Sequence, residues 1–368
     1  MTVTPIVQFG TSRFLQAHVD LFVSEALASG DAPGPITVVQ TTDSADSARR
    51  IAAFNAGPFP VQIRGLENGA VVDRRVTVSS VARALQASRD WEAIESIVVH
   101  EAQVLVSNTA ERGFDLHEED ARGPEHARSF PARLARLLLA RYRHRAEPLD
   151  LYPCELQVGN GRMLRDIVLA ASSSWNQPDG FREWLATRCR WVNTLVDRIV
   201  PTPLEPLGAV AEPYALWAIE AQPGLVPFCR NPCIEVAASL ERYEQRKLFI
   251  LNLGHSVLVS RWQQDGLAPG MTVREILDIP EQRAFLDAVH EQEVLPVFAA
   301  LGDAGAPAYR ATTLDRFRNP FLDHQLADIA RNHQSKVRIR IGGVLDLARK
   351  VAPTQRMERL RAILQAAA

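Results

Sequence analysis

Pro5-Ile-Val-Gln-Phe9, followed without a break by Gly10-Thr-Ser-Arg-Phe-Leu-Gln-Ala-His18, decides the fold. A short run of strand character meets a glycine turn, and Leu21, Phe22 and Ala26 then recur at helical spacing. A strand, a glycine turn and a helix start, in that order, form the layout that receives a dinucleotide pyrophosphate on backbone N–H groups. Of the G-x-G-x-x-G fingerprint only the first glycine, Gly10, is present. Ser12 stands in the second place, where a small side chain still allows the backbone to approach the ligand closely. Gly10 and Ser12 are thus candidate cofactor-binding residues.

Working outward, Pro35-Ile-Thr-Val-Val-Gln40 reads as a second strand that ends at Thr41-Thr42-Asp43. An acidic residue there either hydrogen-bonds an adenosine ribose, favouring NAD over NADP, or caps the helix that starts near Ser44. A third strand, Ala102-Gln-Val-Leu-Val-Ser107, opens into the polar turn Asn108-Thr109-Ala110-Glu111, at the carboxyl end where such sheets keep their ligands. Strand character before Asn160 gives way to helix after it, and beyond about residue 240 helical periodicity takes over. The order predicts an α/β protein: a Rossmann-type dinucleotide-binding domain over 1–236, then a mostly α-helical C-terminal domain over 237–368.

Composition narrows the function. The 368 residues are 46% hydrophobic and 23% charged with a net charge of −2, an ordinary globular balance with no broad attraction for nucleic acid. Arg133, Arg136, Arg141, Arg143 and Arg145 alternate with leucines at helical spacing and read as an exposed helix face. An acidic patch from Asp115 to Asp120 reads as a loop. No apolar run approaches the ~18 residues of a membrane span, and the N-terminus lacks a signal-peptide pattern, so a cytoplasmic location is expected. Cys154, Cys189, Cys229 and Cys233 are too scattered for a disulfide framework or a zinc site; reduced thiols and no metal are expected.

Only three lysines, Lys247, Lys336 and Lys350, stand against thirty-eight arginines. A position that keeps lysine in such a chain needs what arginine cannot supply, the ability to give up a proton. Lys247 opens the apolar run Lys247-Leu-Phe-Ile-Leu-Asn-Leu-Gly-His-Ser256. On a regular α-helix Asn252, His255 and Ser256 share one face, with Lys247 offset from Asn252 by roughly 140°. The bland reading is a snorkelling lysine at a helix end above satisfied core polars.

Several words along the chain, in this order, carry a resemblance: Gly10-x-Ser12-x-Phe14-x-x-Ala17-His18, Ser107-Asn-Thr-x-Glu111, Pro153-Cys-Glu-Leu and Asn160-Gly161. They continue with Asn193-Thr-Leu-Val-Asp197-Arg-Ile, Glu212-Pro-Tyr-x-Leu-Trp217 and Lys247-x4-Asn252-x2-His255. Together they resemble the mannitol dehydrogenase family, the polyol-specific long-chain dehydrogenases, over about residues 5–345. Arg64-Gly-Leu-Glu-Asn-Gly69, Arg316-Phe-Arg-Asn-Pro320 and Asp328-Ile-Ala-Arg-Asn332 resemble its branch that interconverts tagaturonate and altronate. The chain's length is nearer the mannitol-1-phosphate dehydrogenases.

The resemblance implies a zinc-independent NAD-dependent oxidoreductase acting on CH–OH groups, with NADP the less favoured cofactor. Its substrate would be a keto-sugar acid and the corresponding aldonate, or alternatively a neutral polyol or polyol phosphate. Lys247 would be the general acid/base, Asn160 and Asn252 the oxyanion donors, and His255 the residue that positions substrate hydroxyls. Asp197 and Glu244 would tune the lysine and pass its proton on, and Asn332 and Lys336 would meet the substrate. Phe14, Ser107, Asn108, Thr109 and Glu111 would join Gly10, Ser12 and Asp43 around the cofactor. Expected partners are a small-molecule sugar acid or polyol, with no nucleic acid and no membrane, on a monomer or homodimer. A catalytically idle dinucleotide-binding sensor is the reading from a different class.

Overall fold

The computed structural model describes residues 2–109, 112–177 and 179–367. They cluster into two units. The first takes in 1–63, 74–211 and 215–240; the second takes in 64–73, 212–214 and 241–368.

In chain order the strands are β1 (Ile6–Phe9), β2 (Ile36–Gln40), β3 (Phe59–Glu67), β4 (Ala70–Val78), β5 (Val81–Gln86), β6 (Val104–Ser107) and β7 (Asp150–Pro153). They continue with β8 (Arg190–Trp191), β9 (Thr194–Asp197), β10 (Thr202–Pro203), β11 (Ala209–Ala211), β12 (Leu216–Glu220) and β13 (Ile234–Ala237). The main sheet has the order β5-β2-β1-β6-β7-β8, and every pair in it is parallel. Successive strands step outward from β1 to β2 and β5, and the chain then returns to the other side of β1 with β6. That reversal of strand order opens a crevice at the carboxyl ends of β1 and β6. β1, β2 and β6 are buried along their whole length, as parallel strands covered on both faces must be. Two smaller sheets, β10-β11-β3-β4 and β13-β12-β9, complete the strand set. The first unit is thus the expected α/β Rossmann-type sheet.

Helix Phe130–His144 begins at Ser129, whose hydroxyl accepts the Ala132 N–H at 3.2 Å. Its leucines 134, 137, 138 and 139 enter the core of the first unit. The expectation of a wholly exposed arginine face fails at Arg141, which is 2% exposed. Its Nη1 donates to the Val98 and Val99 carbonyls at 2.6 and 3.2 Å, and its Nε donates to the Glu147 carbonyl. The guanidinium thereby satisfies the last carbonyls of helix Trp91–His100, where a cation is favoured. Burial lowers its pKa to about 10. The Asp115–Asp120 patch is likewise not a plain loop: 118–122 form a 3₁₀ turn, and the buried Asp120 carboxylate accepts the backbone N–H groups of His117, Arg128 and Ser129.

The second unit from Glu241 onward is helical, with a core of its own that includes Phe249, Leu253, Val257, Phe298, Phe317 and Val344. Three π turns, Lys247–Asn252, Val289–Val294 and Arg338–Gly342, interrupt its helices. The four cysteines form no disulfide. Among the described residues no helix is long and apolar enough to cross a membrane.

Candidate functional site

In the first unit, Gly10 turns the chain at the end of β1 with φ of 119°, a conformation L side chains rarely adopt. A Cβ there would meet the Asn108 carbonyl oxygen at 2.6 Å, so only glycine lets the two strand ends lie this close. Ser12 sits in ordinary extended backbone, which is why a second glycine is dispensable. Its hydroxyl accepts the Leu15 N–H at 3.2 Å and donates to Asn108 Oδ1 at 3.1 Å. Asn108 in turn donates to the Cys154 carbonyl at 2.8 Å, tying the ends of β1, β6 and β7 together.

Glu155 locks the same rim. Its carboxylate accepts from Ser107 Oγ at 3.0 Å and from the Thr109 N–H and Oγ1 at 2.9 and 3.0 Å. Beside the rim lies a cavity of about 680 Å³ lined by Ser12, Arg13, Phe14, Asn108, Arg49, Arg50 and Arg198, among others. A glycine turn too tight for a Cβ, a strand-end crevice and four guanidinium groups fit a dinucleotide with its two phosphates. Asp43 lies at the end of β2, exposed, with Oδ1 accepting from Gln86 Nε2 at 2.7 Å and Ser88 Oγ at 2.5 Å. The helix that follows is capped by Ser44, whose Oγ accepts the Ser47 N–H at 3.0 Å, and not by Asp43. Glu111 lies outside the described residues.

Asn160 and Asp197 also belong to the first unit, and both are buried. The Asn160 amide nitrogen faces the carbonyls of Pro153, Glu155 and Thr194 at 2.9–3.0 Å, and its oxygen accepts the Thr194 N–H at 2.9 Å. Three acceptors already exceed two hydrogens, so this side chain binds strand ends to one another. The oxyanion donation expected of it would need one of these two hydrogens. Next to it, a Cβ on Gly161 would strike the Val192 carbonyl at 2.5 Å, which makes glycine the price of packing helix Asn160–Ser173 against the end of β8. Asp197 ends β9, opposite Leu216 of β12.

In the second unit, helix Glu241–Arg246 carries Glu244 and runs into the π turn Lys247–Asn252, which continues as helix Leu253–Gln264. An i→i+5 turn stacks residues five apart, so Lys247 and Asn252 come closer to one face than the regular α-helix expected from the sequence allows. Wider turns strand carbonyls. The Ile250 carbonyl accepts from His290 Nε2 at 3.2 Å, and the Asn252 carbonyl accepts from Arg340 Nη1 at 3.0 Å. Lys247 is half-buried. The half-buried Asn252 side-chain amide has no partner among the described residues, in contrast to Asn160.

His255 is 7% exposed and lies between Phe317, ring centroids 4.4 Å apart, and His324, at 5.0 Å. Burial first, and then His324, Arg340, Arg316 and Lys336, hold its pKa well below the ordinary 6.5, so its imidazole is neutral. Lys336 donates from Nζ to the Ile329 carbonyl at 2.8 Å, and exposed Asn332 takes the left-handed conformation just before it. Among the described residues no group of three or more His, Cys, Asp or Glu is arranged to hold a metal ion.

Sequence reasoning missed Arg13, Arg49, Arg50, Arg198 and Arg340, because among thirty-eight arginines none stands out. Glu155 was visible only as one letter of the Pro153-Cys-Glu-Leu word.

Residues 4–225 match the family model described as the mannitol dehydrogenase Rossmann domain, and residues 239–362 match the mannitol dehydrogenase C-terminal domain. The chain is 29% identical over 358 residues to an altronate oxidoreductase of Bacillus subtilis (strain 168), covering 91% of this chain and 73% of the relative. It is 32% identical over 361 residues to an altronate oxidoreductase of Yersinia pestis, with the same coverage. Among solved structures it is similar to a D-sorbitol dehydrogenase in substrate-free form, with a TM-score of 0.85 and 20% identity over 99% of this chain and 80% of that one. A mannitol 2-dehydrogenase of Pseudomonas fluorescens, solved as a ternary complex with NAD and D-mannitol, gives a TM-score of 0.74 and 19% identity over 100% and 79%.

Proposed function

Because the chain belongs to the mannitol dehydrogenase family, we propose that it is an NAD-dependent oxidoreductase interconverting a keto-sugar acid and its aldonate, of the tagaturonate/altronate kind. The observation that carries the reading is the π turn, which sets Lys247 and the unengaged amide of Asn252 on neighbouring positions of one helical segment, with neutral His255 next on the same face. The substrate class is supported by relatives named altronate oxidoreductase at 29% and 32% identity. It is also supported by the cationic surroundings of His255.

Nicotinamide dinucleotide, when bound, supplies or accepts a hydride. Gly10, Ser12, Phe14 and the rim Ser107-Asn108-Thr109 would hold it, with arginines 13, 49 and 50 for its phosphates. In the reductive direction Lys247 donates a proton to the carbonyl oxygen as that oxygen gains charge, and in the oxidative direction it takes the hydroxyl proton. Asn252 donates a side-chain N–H to the same oxygen, a contribution worth about 100- to 1,000-fold in rate where such a donor has been removed. His255 and Asn332 orient hydroxyls. Glu244, three residues before Lys247, hands the lysine's proton to solvent. Asp43, through its second oxygen, accepts from the adenosine ribose and favours NAD over NADP.

The test follows NADH consumption with tagaturonate, fructuronate, fructose and fructose 6-phosphate in parallel, wild type beside Lys247→Ala. Expected is turnover on a keto-uronate that falls at least ~100-fold in the variant while NADH binding persists. Turnover only on a neutral or phosphorylated ketose would replace the substrate class. NADH binding with no turnover on any substrate would favour the sensor reading.

A further inference from the structure

Helix Leu253–Gln264 and the segment His333–Gly342 face each other through two matched rows. Asn252, Ser256 and Ser260 form one row at i, i+4 and i+8; His333, Lys336 and Arg340 form the other at i, i+3 and i+7. Arg340 Nη1 donates to the Asn252 carbonyl and to Ser256 Oγ, both at 3.0 Å, and Ser260 Oγ pairs with His333 Nε2 at 3.0 Å. His324 adjoins through its contact with His255.

The charges in this cluster do not balance. Elsewhere in the unit, half-buried and buried arginines have carboxylates: Arg316 with Glu212, Arg246 with Asp303, Arg310 with Asp287 and Glu291. Arg340 and Lys336 have none among the described residues. Asp328, which acts on neighbouring His324, is paired with Arg331. Among the described residues Arg340 spends only Nη1 on the protein, which leaves Nε and Nη2, the edge of the guanidinium that grips a carboxylate with two parallel hydrogen bonds. Lys336 spends one of its three hydrogens. Burial, and then the neighbouring guanidinium groups of Arg340 and Arg331, lower the Lys336 pKa, while burial lowers that of Arg340. Two half-buried cations that repel each other and lack a counter-charge are relieved by an anion.

We propose that the free edge of Arg340, with the Lys336 ammonium, forms the subsite that receives the carboxylate of the sugar acid and so selects acid over polyol. This rests on the functional reading above, and it adds Arg340 as the specificity-determining residue. One guanidinium would then brace the π turn at Asn252 and anchor the far end of the substrate together.

The test measures the dissociation constants of altronate and of altritol, its neutral counterpart, from the NADH-loaded protein by calorimetry, for wild type, Arg340→Met, Arg340→Lys and Lys336→Met. Expected is tighter binding of altronate than altritol in wild type, by about 10- to 100-fold for a charge-assisted pair. That ratio should collapse toward one in Arg340→Met, recover in part in Arg340→Lys, fall in Lys336→Met, and shrink with added salt in wild type. Equal weakening of altronate and altritol in Arg340→Met, or no preference for altronate in wild type, overturns the subsite. An Arg340-dependent preference in a protein that turns over no keto-uronate leaves the subsite standing and removes the proposed reaction. Turnover with a preference independent of Arg340 and Lys336 does the reverse.

Discussion

Replacing Asp20 with asparagine should make the protein more stable at neutral pH and leave it unchanged near pH 4. Asp20 lies in the first turn of helix Val19–Ser29, fully buried, with neither carboxylate oxygen in hydrogen-bonding geometry with a partner. A helix N-terminus favours a carboxylate by about 0.3–2 kcal/mol, too little to offset taking a bare charge out of water. Burial therefore raises the pKa from 3.8 to about 8, and the nearby Gln8 amide counters it only in part. The folded protein keeps this proton up to about pH 8, whereas the unfolded chain releases it near 3.8. Between those values the folded state binds one more proton, so stability is full below the lower pH and is lost as pH rises toward the upper one. At about 1.4 kcal/mol per pH unit, the loss between pH 4 and pH 7 is on the order of 4 kcal/mol. Asparagine has the same shape and no proton to lose. Urea unfolding followed by tryptophan fluorescence is the assay, since Trp91, Trp175, Trp184, Trp191 and Trp217 all lie in the unit that holds Asp20, and only Trp262 lies outside it. A difference between Asp20→Asn and wild type that stays constant from pH 4 to pH 8 would refute the reasoning, as would a variant less stable at pH 7.

Two further substitutions probe the dinucleotide rim. Gly10→Ala sets a Cβ 2.6 Å from the Asn108 carbonyl at a φ of 119°. It should destabilise the first unit by about 1–3 kcal/mol and weaken NADH binding at least ~10-fold, read by melting and by quenching of protein fluorescence. An unchanged melting temperature would mean the two strand ends separate freely. Asp43→Ala removes the acceptor assigned to the ribose and should narrow the preference for NADH over NADPH by ~10-fold or more in kcat/KM. An unaltered ratio would move cofactor choice to the arginines of the cavity.

The parts of the fold that were readable in the sequence are those where one physical demand dominates. β1, β2 and β6 are buried on both faces, so their apolar runs name them, and the helical periodicity after residue 240 reflects amphipathic helices packing on one core. Gly10 was legible because a strand-to-turn glycine has few other uses. The π turn was not, because 247–252 are apolar residues that suit an α-helix equally well; the extra width is imposed by partners distant in sequence, His290 and Arg340. Arg141 was misplaced for a similar reason. Helical spacing puts it in series with exposed arginines, yet the carbonyls of Val98 and Val99 arrive from another helix to receive it. The two asparagines show the same limit at the candidate site: nothing local distinguishes Asn160, saturated by backbone, from Asn252, left open.

A π turn differs from an α turn by a single residue in the hydrogen-bonded loop. The helical path from Glu241 to Gln264 is therefore one residue longer than its backbone needs. Deleting any one residue between Leu248 and Leu251 would let that path close into a continuous regular helix. Everything downstream, His255 and Ser256 included, would keep nearly the same angular place relative to Lys247, because the wide turn already absorbs the ~100° of one residue. A one-codon deletion, ordinarily among the most disruptive lesions a helix can suffer, would here leave the polar face in register and take from His290 and Arg340 the carbonyls that the wide turn leaves open. The π turn is thus a slot for one extra residue, and this segment can change its length by one where a regular helix could not.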